Sequence, residues 1–162
     1  MRLLFRALLH LAFVALLCPL RESLAQTPQP LAQADFTLGG LTEDTDSAAV
    51  RARLGKPDSV FVEGHPFDVD AKLVSWVYPR LTVFFFSMDH VVGIRTRDSR
   101  VATQRGLRVG DSVARLRRLY GEPTSSYHDD LDYADSGEHL HVMRVTVRQG
   151  HVAEIYVGWI LD

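Results

Sequence analysis

The chain has 162 residues with one cysteine, 18 basic against 20 acidic side chains, and 46% hydrophobic residues. That length suits one ordinary domain, or two small units sharing a core, and is too short for a large multidomain enzyme. The near-neutral balance argues against a nucleic-acid partner, which draws a clear basic excess, and a single cysteine excludes an internal disulfide framework or a cysteine-rich zinc site.

Residues 1–25 read as an export signal. Arg2 and Arg6 give a positive start, Ala7 to Leu20 is apolar apart from His10, and Arg21 and Glu22 close the run. Ser23-Leu24-Ala25 offers small residues at the −3 and −1 positions of a cleavage site after Ala25. The apolar run falls short of the ~20 residues of a transmembrane helix, so none is expected once the signal is removed. A lipoprotein signal carries a small residue just before its cysteine, whereas Leu17 precedes Cys18. The expected product is an exported chain without cysteine, held together by its core alone in an oxidising compartment. Its expected place is the periplasm or the medium, or the periphery of the outer membrane. Residues 26–34, rich in Gln, Pro and Ala, read as a flexible leader.

The remainder repeats itself. Gly40 to Phe61 aligns without gaps to Gly106 to Tyr127 at an offset of 66, with seven of 22 positions identical, including Gly55/Gly121 and Pro57/Pro123. Further on, His90-Val91-Val92-Gly93-Ile94 meets His151-Val152-Ala153-Glu154-Ile155 at an offset of 61. Internal duplication is the strongest structural signal here.

Each half opens with a short predicted helix. In the first, Asp44 to Asp46 form the cap region and Ala49, Val50 and Leu54 the buried stripe, before Gly55 and Pro57. In the second, Asp111 or Ser112 caps, Val113, Leu116, Leu119 and Tyr120 face inward, and Gly121 and Pro123 stop the helix. Strands are predicted over 72–78, 81–87 and 91–96 in the first half. The second half has a weak one within 126–134, then 139–147 and 151–160. A three-residue loop, Arg148-Gln149-Gly150, sets Arg144 opposite Glu154, with Met143, Val145, Ala153, Ile155, Val157 and Trp159 on the other face. The expected class is α+β. A helix plus a three-stranded antiparallel sheet is used in tandem, over 35–100 and 101–162, with both helices packed on one face of a curved sheet in one compact domain.

Gly110-Asp111-Ser112-Val113, Tyr120-Gly121-Glu122-Pro123 and then His151-Val152-Ala153-Glu154-Ile155 together resemble a known pattern. It is the Gly-x-Ser-x-x-Val, Leu-Gly-x-Pro, Val-x-x-Ile series of the SmpA/OmlA (BamE-like) envelope proteins. In tandem, the unit also resembles the β-lactamase-inhibitor-protein fold. The resemblance implies a non-enzymatic adaptor or scaffold of the cell envelope that binds another protein. The inhibitor-like fold implies a secreted enzyme inhibitor or a small-ligand-binding module.

No nucleophile elbow, phosphate loop with its Lys, or His-Glu-x-x-His helix is present in the sequence, and no catalytic activity or cofactor is expected. His128-Asp129-Asp130-x-Asp132, with His139 and His141, is the most polar cluster. It reads as a solvated loop beside two histidines at a sheet end, His139 packing on Trp159, rather than as a metal site. Three consecutive phenylalanines, 84 to 86, cannot all face one side of a strand. Matching Phe84 and Phe86 to Val145 and Val147 puts Phe85 on the face away from the helices, joined there by Trp76 or Tyr78. The candidate protein-binding residues are therefore Trp76, Tyr78, Phe85, His139, His141 and Trp159.

Overall fold

The computed structural model describes residues 30–63, 72–86, 90–135 and 141–160; the expected export signal and His139 lie outside them. Eight strands form one antiparallel sheet. They are β1 (Ser59–Glu63), β2 (Leu73–Val77), β3 (Thr82–Phe86), β4 (Val91–Thr96), β5 (Ser125–Tyr127), β6 (Asp130–Ala134), β7 (His141–Arg148) and β8 (His151–Trp159). Their order across the sheet is β1-β2-β3-β4-β8-β7-β6-β5. Helix α1 (Ser47–Leu54) precedes β1, and α2 (Val113–Tyr120) precedes β5.

This corrects the expected fold class. Four strands follow each helix, not three, and all eight belong to a single sheet, so the molecule is mostly sheet with two helices of eight residues each. The strands missed are β1 and β5, the two edges. Every residue in both is exposed. Alternation in sequence reports alternation of burial, and a strand with no buried face leaves no such trace.

The helices end where their sequences require. Asp46 accepts a hydrogen bond from the Ala49 amide at the start of α1, and Ser112 from the Arg115 amide at the start of α2. Gly55 and Gly121 close them with φ of 81° and 79°. Two turns of helix persist only through packing. Val50 supplies it in α1, and Leu116 and Tyr120 in α2, all at or below 1% exposure.

The core lies between the helices and one face of the sheet. Val74, Trp76, Val83, Phe85 and Ile94 face it from the first half, and Tyr133, Met143, Val145, Ile155 and Val157 from the second. The segment before each helix fills the space between them. Leu31, Phe36, Leu38 and Leu41 are buried against Val101 and Leu107, and Leu38 bridges to Thr103. The end of the leader is part of this layer, since the Leu31 amide donates to the Ala134 carbonyl at 2.9 Å. Buried Asp35 is held by Arg105, whose Nε lies 2.7 Å from its Oδ1, and the same guanidinium donates to the Leu119 carbonyl and lies over the Tyr120 ring.

Two equivalent bulges shape the strands. Phe84 pairs with Gly93 but Phe85 with Val91, leaving Val92 as the extra residue; Thr146 pairs with Glu154 but Val147 with Val152, leaving Ala153. The β7–β8 turn is two residues, Gln149 and Gly150, both with positive φ (51° and 77°), rather than the three expected. The register changes accordingly. Arg144 lies opposite Tyr156, not Glu154, and Glu154 lies opposite Thr146. Met143, Val145, Ile155 and Val157 still face the core, because a two-residue shift keeps each side chain on its face.

The halves meet where β4 pairs with β8, and there Gly93 lies opposite Gly158. A Cβ on Gly93 would stand 2.4 Å from the Tyr156 hydroxyl, because the Tyr156 ring lies across that glycine. A Cβ on Gly158 (φ 145°) would stand 2.4 Å from the Val92 carbonyl oxygen and 2.5 Å from the Gly93 Cα, which are backbone atoms that cannot step aside. Gly158→Ala is therefore expected to cost about 3 kcal/mol or more in urea unfolding. Gly55→Ala, left-handed but with open space around its Cβ, is expected to cost about 1–2 kcal/mol. Equal costs for the two would show that the close approach at the junction does not matter.

Candidate functional site

Three expected binding residues are core residues instead. Phe85 is 0% exposed, Trp76 1% and Tyr78 7%; Trp76 packs on Phe85 with ring centroids 4.8 Å apart, and the Arg51 guanidinium lies over Trp76 from α1. Aromatic side chains buried to this extent stabilise the fold by roughly 2–3 kcal/mol each and are not available to a partner. The assignment of Phe85 to the far face is off by one residue. In space Phe85 corresponds to Val147 and Val83 to Val145, since Phe85 pairs with Val91 as Val147 pairs with Val152. The chain between Phe85 and Val91 is one residue longer than that between Val147 and Val152. An offset carried back through that turn inverts every side chain of β3.

His141 and Trp159 do come together, paired across β7 and β8 with ring centroids 4.4 Å apart, so His141 occupies the place beside Trp159 expected for His139. Phe36 packs edge-on against the same imidazole. His141 Nε2 lies 3.3 Å from Glu43 Oε2, and Nδ1 lies 3.9 Å from Asp135. The Glu43 contact lacks hydrogen-bond geometry, and Glu43 Oε1 is buried without a partner. Burial raises the Glu43 carboxyl above its ordinary 4.5, with His141 and a Trp159 hydrogen bond pulling the other way and Asp44 and Asp135 adding to the rise. Trp159 is 38% exposed and forms one wall of a shallow recess with Glu43, Asp44, Phe86 and His90.

A raised folded-state value means that the native protein binds a proton more readily at this site than the unfolded chain does. The stability it contributes is complete below the unfolded value and is lost as pH rises through the folded one. Glu43→Gln is therefore expected to lessen the fall in stability above pH 4.5. Thermal melts of both proteins from pH 4 upward check this; parallel curves would exclude Glu43 as the source.

The face of the sheet away from the helices carries a different arrangement. It is concave, because Glu63 of edge strand β1 and Asp130 of β6 line one and the same trough of about 340 Å³, to which every strand but β5 contributes. Leu73, Phe84 and Tyr156 line it, and they belong to an apolar cluster in which Val92 is buried and Phe86 and Tyr156 are half-buried. Phe84 and Tyr156 meet edge-on at 6.2 Å, and the Arg95 guanidinium lies over the Phe84 ring at 5.1 Å. Polar groups line the second-half wall. Arg144 is bidentate to Asp132 at 2.9 and 3.1 Å, Thr146 donates to Asp130 at 2.6 Å, and Glu154 pairs with Arg97. Arg95 has no carboxylate within ion-pair distance among the described residues.

Phe84, Arg95, Arg144 and Tyr156 are not among the candidate binding residues read from the sequence, which matched Phe84 to a core position and set Arg144 opposite Glu154. The signal that could have found them is the repeated His-Val-x-x-Ile of β4 and β8, whose bulge sets Val91 with Ile94, and Val152 with Ile155, on the core face and leaves Arg95 and Tyr156 on the other.

Among the described residues no cluster of metal-ligating side chains occurs, and no helix is long and apolar enough to cross a membrane. No protein family and no curated protein matches the chain in sequence. Among solved structures it is similar to the crystal structure of the uncharacterized protein yfeY from Escherichia coli, with 11% identity and a TM-score of 0.49. That match covers 76% of this chain and 97% of that one.

Proposed function

We infer that this protein is an exported, non-catalytic module that binds a polypeptide partner in the concave trough of its sheet. The observation that carries this reading is the make-up of the trough. An aromatic and aliphatic floor lies under a rim of arginines and carboxylates, drawn from both halves of the chain. Such a combination of apolar centre and polar rim is the anatomy of a protein interface. Most of the rim charges are already engaged with one another, which suits recognition by shape and charge rather than proton transfer. Arg95, without an ion-pair partner among the described residues, is a cation open to a partner, and an acidic side chain flanked by apolar ones is its complement. The export reading rests on residues 1–25, and the envelope reading on the resemblance of Gly110 to Val113 and Gly121 to Pro123 to the BamE-like pattern.

The test uses the protein immobilised against an envelope extract, with captured proteins identified by mass spectrometry and then quantified. Arg95→Glu, which sets a carboxylate in the trough, is expected to reduce partner recovery at least about tenfold, corresponding to ~1.4 kcal/mol. Its unfolding, measured alongside, should change by about 0.5–1 kcal/mol through loss of the Arg95–Phe84 contact, too little to unfold the protein. Arg118→Glu, exposed on α2 across the molecule, is expected to leave recovery unchanged. Equal recovery by both variants would remove the trough as the binding site. Recovery of the same partner from the medium rather than the envelope would favour a secreted inhibitor over an envelope adaptor.

A further inference from the structure

The two ends of the sheet are unlike. β1 has all five residues exposed, and Val60, Phe61 and Val62 stand 51%, 54% and 59% exposed in succession. The outer side of such a strand offers unpaired N–H and C=O groups, and exposed edges are ordinarily blunted by Lys, Pro, a bulge or brevity. Within Ser59–Glu63 there is no Lys, no Pro and no bulge, the one charged residue is Glu63 at its end, and the pairing with β2 is regular throughout. β5, at the other end, has three residues and is polar apart from Tyr127. It stops at His128, whose φ is 52°, and Asp129 and Asp130 follow.

We propose that β1 pairs antiparallel with β1 of a second copy of this chain, joining the two sheets about a twofold axis. Such an axis stands perpendicular to the sheet and keeps the helices of both copies on one side, so residues placed opposite each other share a face. The register that uses all five residues is centred on Phe61. Phe61 then meets Phe61, Val60 meets Val62, and Ser59 meets Glu63. No like charges oppose one another, and the faces agree. Phe61 pairs with Ser75 of β2 on the trough side, and Val60 and Val62 pair with Trp76 and Val74 on the helix side. The blunted β5 edge gives growth a stop. One adhesive edge on each copy closes at two, whereas two would build a filament. The inference stands on the edge alone and does not require the trough to bind a partner.

The measurement is the mass in solution of protein purified from cells expressing the full chain, by sedimentation equilibrium at micromolar concentrations. A twofold multiple of the single-chain mass is expected. Phe61→Lys, which brings two ammonium groups together at the axis, should halve that mass, while Tyr127→Lys on the other edge leaves it doubled. A second variant adds no charge. Phe61→Cys, in a chain with Cys18→Ser, places two thiols on residues whose Cα atoms lie about 4.5–5.5 Å apart in an antiparallel pair, within disulfide reach. Mild oxidation should yield a covalent dimer, and Tyr127→Cys should not. A single-chain mass for the unaltered protein would overturn the proposal. So would a dimer that crosslinks through position 127 and not 61.

Discussion

The sheet depends on the pairing of β4 with β8. Each half of the chain brings four strands, and this one ladder makes them a single surface. It is possible only because Gly93 and Gly158 face each other, allowing the Tyr156 ring to lie across the junction and its hydroxyl to reach the Trp159 carbonyl. Side chains at either position would force the halves apart by the width of a methyl group, or displace Tyr156 from the trough floor. The junction and the trough are therefore one feature. The aromatic ring that seals the seam is also a central element of the surface that the seam creates.

The paired bulges explain how one sheet serves two purposes. A bulge increases local twist and bends the strand that carries it. Here β4 and β8, the two central strands, each carry one, at Val92 and at Ala153. Bending at the middle of the sheet hollows the face away from the helices and leaves the convex face to carry them. The convex and concave requirements are met by the same two inserted residues, and the core is continuous across the seam, from Val50 on α1 to Tyr133 on β6. No disulfide is needed when the N-terminal segment closes the helix layer, with Asp35 and Arg105 joining that segment to α2 through Leu119 and Tyr120.

Much of this was legible in the sequence, and the failures have physical causes. Helix termini were readable because caps and stops are local chemistry: Asp46, Ser112, Gly55 and Gly121 do what their side chains, or the lack of one, permit. The inner strands were readable because they are apolar runs with buried residues, β2, β3 and β4 being buried nearly throughout. The edge strands β1 and β5 were not, since nothing about them is buried. The face of β3 was misread through a single residue in the β3–β4 turn, and that error exchanged Phe85 for Phe84 and so exchanged core for surface. His141 and Trp159 meet across β7 and β8, yet the approach of His141 to Glu43 joins positions about a hundred residues apart, which no local pattern in either segment records.

The distribution of aromatic residues between the two faces argues for the trough as the working surface. On the helix side Trp76, Phe85, Tyr120 and Tyr133 are at or below 1% exposure, and Tyr133, its hydroxyl pushed up to about 12 by burial with Glu122 adding to the rise, is held as a neutral packing group. Their contribution is spent on folding. Phe86 and Tyr156 on the other face are only partly covered, and the guanidinium that shields Phe84 is a mobile type of side chain that a ligand can displace or engage. A partner carboxylate reaching Arg95 would keep the cation over the ring and add an ion pair in a trough already partly shielded from water. In the proposed binding mode both signs of charge have a complement in the trough, Arg95 and Arg144 on one side and Glu63, Asp130 and Glu154 on the other, on strands that only the β4–β8 seam brings to the same surface.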